Sequence, residues 1–280
     1  MRLTALAACA VVALATASRA AAVEATDARS GDVNAPRFRI EERVRVREKQ
    51  RADAEVCLVH LHGNEVNARE VMLELGDTSC ANVLWLDDAR TRTPWGDDRI
   101  PVPNATMAAR VCSVNPNRIL TPAGFAVRID NDCEGDETAR RELRRFLDQT
   151  FLPALARCRG RGLPVVAFHN HSRLTNGDMD ASVSSAVAGA EHDILFVTRR
   201  DDYDRLVGLA RFSVALQNAP PADDGSLSVA LQRDRYVNVE AQIAPRNKRV
   251  NRAMGEWALR SVGGFVCGPA DWPAPKRPRR

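Results

Sequence analysis

Short apolar runs alternate along this chain with stretches whose apolar residues recur at helical spacing. The run VCLVHLH at residues 56–62 predicts a buried strand, and residues 64–75 have the spacing of an amphipathic helix. The same criteria predict further strands at residues 83–86, 163–168, 194–198 and 236–240, and a helix at residues 137–158. Three prolines predict a loop over residues 91–104. Strands that alternate with helices predict an α/β fold with a mixed, largely parallel central sheet flanked by helices.

The composition is that of a globular protein with a full core. Apolar residues make up 45% of the 280 positions and charged residues 27%, which excludes an intrinsically disordered chain. The 40 basic and 36 acidic side chains are evenly mixed and leave a net charge of +4, so we expect no nucleic-acid partner. The predicted parts are a signal peptide (1–22), a polar lead-in (23–53), one large domain (54–268) and a basic, proline-rich tail (269–280).

The first 22 residues have the pattern of a secretory signal peptide. A basic start is followed by an apolar stretch at residues 3–17 and by the small residues of SRAAA at 18–22. No later segment has 18 uncharged apolar residues, so we expect no integral membrane segment after cleavage. The sequence therefore predicts a secreted or periplasmic protein.

The cysteine content agrees with an oxidising compartment. If Cys9 is removed with the signal peptide, an even number remains, which favours disulfides. These six residues are Cys57, Cys80, Cys112, Cys133, Cys158 and Cys267. They allow fifteen pairings, among which the sequence does not choose. For Cys57 and Cys112 we expect a disulfide or a place in the core.

Four of the five histidines fall in two compact clusters, HLH at residues 60–62 and HNH at residues 169–171. Each cluster lies where a predicted strand gives way to polar residues, which is where α/β enzymes expose reactive side chains. A single buried histidine most often serves packing. Two clusters at two strand ends favour a shared site instead.

The residues HGNE at 62–65 place a carboxylate three positions after a histidine, across a strand-to-helix corner. His62 and Glu65 can therefore converge on one point, and His169 would supply a third ligand. Two imidazoles and one carboxylate with an open fourth position form a standard catalytic zinc site. His171 is an alternative to His169 if the strand extends further. Because no cysteines are grouped here, a closed structural zinc site is disfavoured.

The segment VHLHGNEVNARE at residues 59–70 resembles the first zinc-binding motif of the zinc carboxypeptidase superfamily, including its aspartoacylase and succinylglutamate desuccinylase branch. The resemblance implies an α/β catalytic domain over residues 54–268. It also implies one zinc ion held by His62, Glu65 and His169, the last on the strand at residues 165–172.

Two further segments are similar to motifs of that superfamily. VNPNRIL at residues 114–120 resembles its Asp-x-Asn-Arg-x-Phe motif, which implies that Asn117 and Arg118 bind a substrate carboxylate. The leading Asp is Asn115 here, and the Phe is Leu120.

The segment YVNVEAQ at residues 236–242 resembles the strand that carries the catalytic glutamate, here Glu240. Residues 211–231 lack the mobile tyrosine of the digestive carboxypeptidases, so their specificity pocket cannot be carried over.

Together these features predict an exported zinc hydrolase that cleaves an amide bond next to a free carboxylate. The expected substrate is a small peptide, with cell-wall peptides one possibility, or an acylated amino acid if the chain is a deacylase of the aspartoacylase type. A third hypothesis is an inactive secreted relative that binds peptide ends through Arg118. His60 is expected either to orient a ligand or to serve packing, and Arg99 and Arg110 are unranked candidates for stabilising the oxyanion.

Overall fold

A computed structural model describes residues 38–89, 99–108, 110–243 and 247–263. The predicted signal peptide, most of the lead-in, Cys267 and the basic tail lie outside these residues. All the described residues belong to one compact unit. None of its helices, within the described ranges, is long and apolar enough to cross a membrane.

Eight of the ten strands in the described residues form one central sheet, in the order β1-β3-β2-β6-β10-β8-β9-β7, and the other two form a small hairpin, β4-β5. The strands are β1 Val44–Lys49, β2 Val56–His60, β3 Ala81–Asp88, β4 Ile100–Pro103, β5 Val111–Val114, β6 Val165–His171, β7 Ala181–Ser185, β8 Ile194–Val197, β9 Ser213–Gln217 and β10 Tyr236–Gln242. The four adjacent strands β3, β2, β6 and β10 are parallel to one another, and β8 is parallel to β9 but antiparallel to β10. The edge strands β1 and β7 are antiparallel to their neighbours. The predicted mixed, largely parallel sheet is confirmed.

Helices cover both faces of this sheet. They are α1 Val66–Thr78, α2 Pro122–Cys133, α3 Glu137–Phe146, α4 Leu152–Arg159, α5 Arg200–Val207, α6 Leu227–Ala230 and α7 Asn247–Ser261. Helices α1, α5 and α7 pack in one hydrophobic core, and helices α2, α3, α4 and α6 in the other. All five residues of β2 are buried, as expected for a strand with a core on each side.

Two local signals explain where helices on the second face begin. Pro122 is the first residue of α2, and the Thr121 side chain accepts a hydrogen bond from the Gly124 N–H. The Asp136 side chain caps α3 in the same way, at the Ala139 N–H. These caps fix the N-termini of the two helices that come after the Asn-Arg motif in the chain.

Two disulfides join the sheet and the hairpin to this second helix layer. Cys57 in β2 is bonded to Cys158 in α4, and Cys112 in β5 is bonded to Cys133 in α2. Both Cys57 and Cys112 therefore have the disulfide role expected for them. The first bond anchors the strand that leads to HGNE, and the second anchors the strand that leads to the Asn-Arg motif.

Several element boundaries differ from the sequence predictions. Strand β2 ends at His60, two residues before the predicted end, whereas β6 continues to His171 and includes the second histidine cluster. The extension occurs because all seven residues of β6 pair in parallel with β10. The predicted helix at 137–158 contains a π-helical turn at Leu147–Phe151.

Two stretches for which the sequence analysis listed no strand contain one each. Strand β1 lies in the polar lead-in and pairs with β3, so the sheet begins before residue 54. Strand β4, within the proline-containing stretch, pairs only with β5, and prolines are tolerated in such edge strands.

Candidate active site

The parallel strands β2, β6 and β10 end at one edge of the sheet, beside a cavity of about 580 Å³. The cavity is lined by all six residues to which the sequence analysis gave a metal-binding, catalytic or carboxylate-binding role: His62, Glu65, Asn117, Arg118, His169 and Glu240. Ligands of α/β proteins bind where the carboxyl ends of parallel strands meet. The cavity is therefore the candidate active site.

His62 and Glu65 lie in the corner between β2 and α1. The Glu65 N–H donates to the His62 carbonyl at 3.3 Å, which closes the turn. Glu65 is the N-cap residue of α1, yet its side chain makes no capping hydrogen bond to that helix. A carboxylate at an N-cap usually accepts from the first helical N–H groups. Here it contacts His169 instead, with 3.4 Å between the carboxylate and Nδ1.

The N-terminus of α1 is pinned to the sheet by Asn170, which lies between the two histidines of the second cluster. Its Oδ1 accepts from the Ala68 N–H at 3.0 Å, and its Nδ2 donates to the Ala241 carbonyl at 3.2 Å. This one side chain thus connects β6, β10 and the helix that begins after Glu65. Sequence reasoning missed this role because both partners are backbone groups distant in the chain.

His62, Glu65 and His169 form one cluster. Each offers one metal-ligating atom, and these atoms lie within 4.8 Å of one another. The His62 and His169 rings are 5.0 Å apart between centroids. His169 is buried, and its Nε2 has no hydrogen-bond partner among the described residues. A buried ring nitrogen of this kind is costly unless a ligand satisfies it.

The donor set and the protonation of this cluster both fit zinc. Burial lowers the pKa of His169, although the nearby Glu240 opposes this effect, so the imidazole is neutral at pH 7. Neutral imidazole is the form that binds a metal. Two imidazoles and one carboxylate are a standard ligand set of catalytic zinc sites.

The other histidines have backbone partners. His171 Nδ1 accepts from the Leu174 N–H at 2.7 Å, and its Nε2 lies 2.7 Å from the His192 carbonyl. Both ring nitrogens are occupied, so His171 is not an alternative metal ligand in this arrangement. His192 Nδ1 in turn lies 2.8 Å from the Leu174 carbonyl.

His60 is fully buried behind the cluster. Its Nδ1 lies 2.8 Å from the Phe168 carbonyl, and its ring centroid is 6.5 Å from that of His169. Burial lowers the pKa of His60 to about 3, so the ring is neutral. His60 therefore ties β2 to the residue that precedes His169 in β6.

Glu240 lies beside His169 because the two residues are paired in register on adjacent parallel strands. Its Oε1 accepts from Asn238 Nδ2 at 2.8 Å. Burial raises the pKa of Glu240 to about 7; the nearby Glu65 also raises it, while His169, Asn238 and Arg118 act in the opposite direction. Such a carboxyl group can both accept and release a proton near neutral pH.

Asn117 and Arg118 reach the cavity from a single 3₁₀ turn, Pro116–Arg118. The Asn115 side chain accepts from the Asn117 N–H at 2.8 Å and so caps this turn. Asparagine makes this bond as well as aspartate does, which explains how the motif tolerates Asn115. The Arg118 guanidinium forms an ion pair with Asp224, a residue that sequence reasoning did not single out.

Neither of the arginines considered for the oxyanion lines the cavity. Arg99 donates to the Ser113 carbonyl and pairs with Asp132 at 2.9 Å. Arg110 donates to the Ala105 carbonyl. In this structure both guanidiniums are therefore bound to groups outside the cavity.

No protein-family model matches the chain, and neither does any curated protein. Among solved structures, the product-bound ectoine utilization protein EutE (DoeB) from Ruegeria pomeroyi is 13% identical, with a TM-score of 0.39 over 79% of this chain and 61% of that one. A succinylglutamate desuccinylase from Silicibacter sp. TM1040 is 12% identical, with a TM-score of 0.38 over 79% and 61%.

A succinylglutamate desuccinylase/aspartoacylase from Rhodobacter sphaeroides is 13% identical, with a TM-score of 0.39 over 80% of this chain and 60% of that one. Two of these three structures bear names of the enzyme branch that the HGNE segment resembles. The chain spans about three fifths of their length.

Proposed function

We propose that this chain is a zinc-dependent hydrolase that cleaves an amide bond next to a free carboxylate. One observation carries the proposal: the cluster of His62, Glu65 and His169 shares a single cavity with a buried carboxyl group, Glu240, and a guanidinium, Arg118. These are the groups that such a hydrolysis requires, and they come from four separate segments of the chain.

His62, Glu65 and His169 would hold the metal. When bound, zinc polarises the substrate carbonyl and makes water more acidic. Glu240 accepts a proton from the attacking water as the C–O bond forms, and it delivers that proton to the leaving nitrogen as the C–N bond breaks. Burial, which raises the pKa of Glu240, favours a carboxyl group that can both take up and release a proton.

Arg118 supports the requirement for a free carboxylate. A guanidinium offers a planar set of N–H donors that binds a carboxylate through two hydrogen bonds. Because Arg118 lines the same cavity as Glu240, a carboxylate bound there would hold the neighbouring amide bond close to the reacting groups. Both a peptide and an N-acyl amino acid meet this description, and the cavity of about 580 Å³ admits either as a small substrate.

We further propose that the protein acts outside the cytoplasm. The disulfides Cys57–Cys158 and Cys112–Cys133 support this location, because such bonds persist mainly in oxidising compartments. Fractionation of cells that express the full chain tests this part of the proposal. Each cell fraction is assayed for the domain that contains His62.

Metal analysis of purified protein tests the site. We expect one zinc per chain in the wild type and none in a His62→Ala, Glu65→Ala double variant. Glu70→Gln serves as the control, because Glu70 is an exposed carboxylate on the same helix, paired with Lys248 at 2.9 Å. Equal zinc in all three proteins would place the metal elsewhere and contradict the proposal.

Hydrolysis assays test the reaction. We expect release of the amine from N-acetyl amino acids or from the C-terminus of short peptides, and much slower reaction when the substrate carboxylate is amidated. The two substrate series distinguish a deacylase from a carboxypeptidase. Zinc-loaded protein that binds these compounds without turnover would instead support an inactive binding protein.

A further inference from the structure

The turn that carries Asn117 is held by a second segment, residues 223–227, which is distant in the sequence. The Leu227 N–H donates to Asn117 Oδ1 at 2.9 Å, and the Leu120 N–H donates to the Gly225 carbonyl at 2.8 Å. These hydrogen bonds run in both directions between the segments. The two backbones are therefore fixed relative to each other.

The contact between the segments depends on two glycines. Gly225 has φ of +80°, and a Cβ atom there would lie 2.2 Å from the Arg118 carbonyl oxygen. A Cβ atom on Gly124 would lie 2.2 Å from the Gly225 Cα. Only glycine allows this backbone conformation and this approach together. The Thr121 hydroxyl adds a hydrogen bond to Asp223 at 2.6 Å.

Asp224 lies at the centre of this contact. Its Oδ1 accepts from the Ser226 N–H at 2.9 Å, which fixes the carboxylate to its own segment. Its Oδ2 pairs with Arg118 Nη1. Arg118 lines the cavity, whereas Asp224 is not among the lining residues, so the carboxylate contacts the guanidinium from outside the cavity.

We propose that Asp224 is a positioning residue that holds the Arg118 guanidinium in the orientation that receives the substrate carboxylate. The proposal rests on the function proposed above, because it assumes that Arg118 binds that carboxylate. Asp224 occupies one end of the guanidinium and leaves its other N–H donors for the substrate.

The physical basis is the flexibility of arginine. An arginine side chain has many rotamers, and ordering it when a ligand binds costs free energy. Both side chains of the Arg118–Asp224 pair are 43% exposed, so the pair contributes little to folding stability. Its effect should appear in substrate binding, where an arginine that is already oriented binds the carboxylate more tightly.

Other roles for Asp224 predict other effects of its removal on substrate binding. If its carboxylate merely competed with the substrate for Arg118, removal of Asp224 would strengthen substrate binding. If it only supported the fold, removal would weaken the reaction of every substrate alike. These outcomes make the proposal testable by kinetics.

The experiment compares Asp224→Ala and Asp224→Glu with wild type, using an N-acetyl amino acid and its C-terminal amide. We expect Asp224→Ala to raise KM for the acid roughly threefold to tenfold. We expect kcat within about twofold of wild type and no change for the amide, and Asp224→Glu should restore much of the binding. Asp204→Ala is the control, since Asp204 forms a similarly exposed ion pair, with Arg200, on helix α5.

A lower KM for the acid, or equal losses for acid and amide, would overturn the proposal. Binding of N-acetylglycine, measured by calorimetry on the zinc-loaded protein, separates the positioning role of Asp224 from the proposed function. There, Asp224→Ala should weaken binding in the wild-type background and have no effect in the Arg118→Ala background. A protein that shows this pattern but no hydrolysis would retain the positioning role and lose the proposed function, whereas equal weakening in both backgrounds would exclude the role.

Discussion

The two halves of the candidate site are held in different ways. His169 and Glu240 lie on adjacent parallel strands inside a sheet with a core on each side, and their spacing follows from strand register. Asn117 and Arg118 lie on one short turn outside the sheet, fixed by contacts with residues 223–227. The reacting groups are thus positioned by regular structure, and the recognition groups by side-chain and loop contacts. Changes in the two halves should therefore affect different steps of the reaction.

The largest effect is expected from Glu240→Gln in the strand-held half. This change keeps the size and the hydrogen bond to Asn238 but removes the group that accepts a proton. We expect kcat to fall by about 10²- to 10⁴-fold, as for loss of a general base. Zinc content should stay at the wild-type level, because Glu240 is not one of the cluster ligands.

Turnover by Glu240→Gln near the wild-type rate would contradict the assignment of the base. Loss of zinc in this variant would show that Glu240 belongs to the metal site. Metal analysis and steady-state kinetics on the same preparation distinguish these results.

The disulfide that anchors the strand-held half should matter most for stability. Cys57 and Cys158 are 101 residues apart, and a loop of that length corresponds to about 4.7 kcal/mol of stabilisation in the chain-entropy treatment. We expect the Cys57→Ala, Cys158→Ala double variant to lose stability on that scale and to bind zinc more weakly. Chemical denaturation and metal titration provide the measurements.

The second disulfide anchors the recognition half. Cys112 and Cys133 are 21 residues apart, which corresponds to about 3 kcal/mol. The Cys112→Ala, Cys133→Ala variant should be more stable than the first double variant, keep its zinc, and show a higher KM for substrates with a free carboxylate. If both double variants lost zinc equally, the two halves would not be independently supported.

The smallest of these effects is expected at Asn238. Its Nδ2 donates a hydrogen bond to Glu240 Oε1 at 2.8 Å and so fixes the orientation of the carboxyl group. Asn238→Ala should lower kcat roughly tenfold, since a hydrogen bond to a charged group is worth about 1.5 kcal/mol or more. KM should change little, because Asn238 does not line the cavity.

An increase in KM without a change in kcat would assign Asn238 to the recognition half instead. Asn238→Asp is a useful companion variant, because it keeps the shape of the side chain while replacing the donor by a second carboxyl group.

Local sequence patterns placed the HGNE corner and the second histidine cluster after buried apolar runs, and parallel strands bring such ends together. Glu240 was identified instead through the resemblance of residues 236–242 to a known motif. The end of β6 was mispredicted, because polar residues after an apolar run look like a loop. The continuous pairing with β10 overrides that local signal.

The recognition half was only partly predictable. The Asn-Arg motif identified Arg118, but its partner Asp224 is 106 residues away and sits in a polar stretch with no periodicity. The contact between Gly124 and Gly225 could not be predicted either, because nothing in the sequence indicates that these two glycines approach each other. Disulfide pairing likewise depends on which strands become neighbours, which the cysteine spacing alone does not specify.

Strand β6 presents His169 to the cavity and the next residue, Asn170, to the helix on the other face of the sheet. Inserting or deleting one residue between Val165 and His169 would exchange these two side chains between the faces. Such a change would remove both the second imidazole of the cluster and the hydrogen bond that ties β6 to α1. Length variation among natural homologues should therefore be absent from this short stretch, and should be found instead in the connections that leave the sheet.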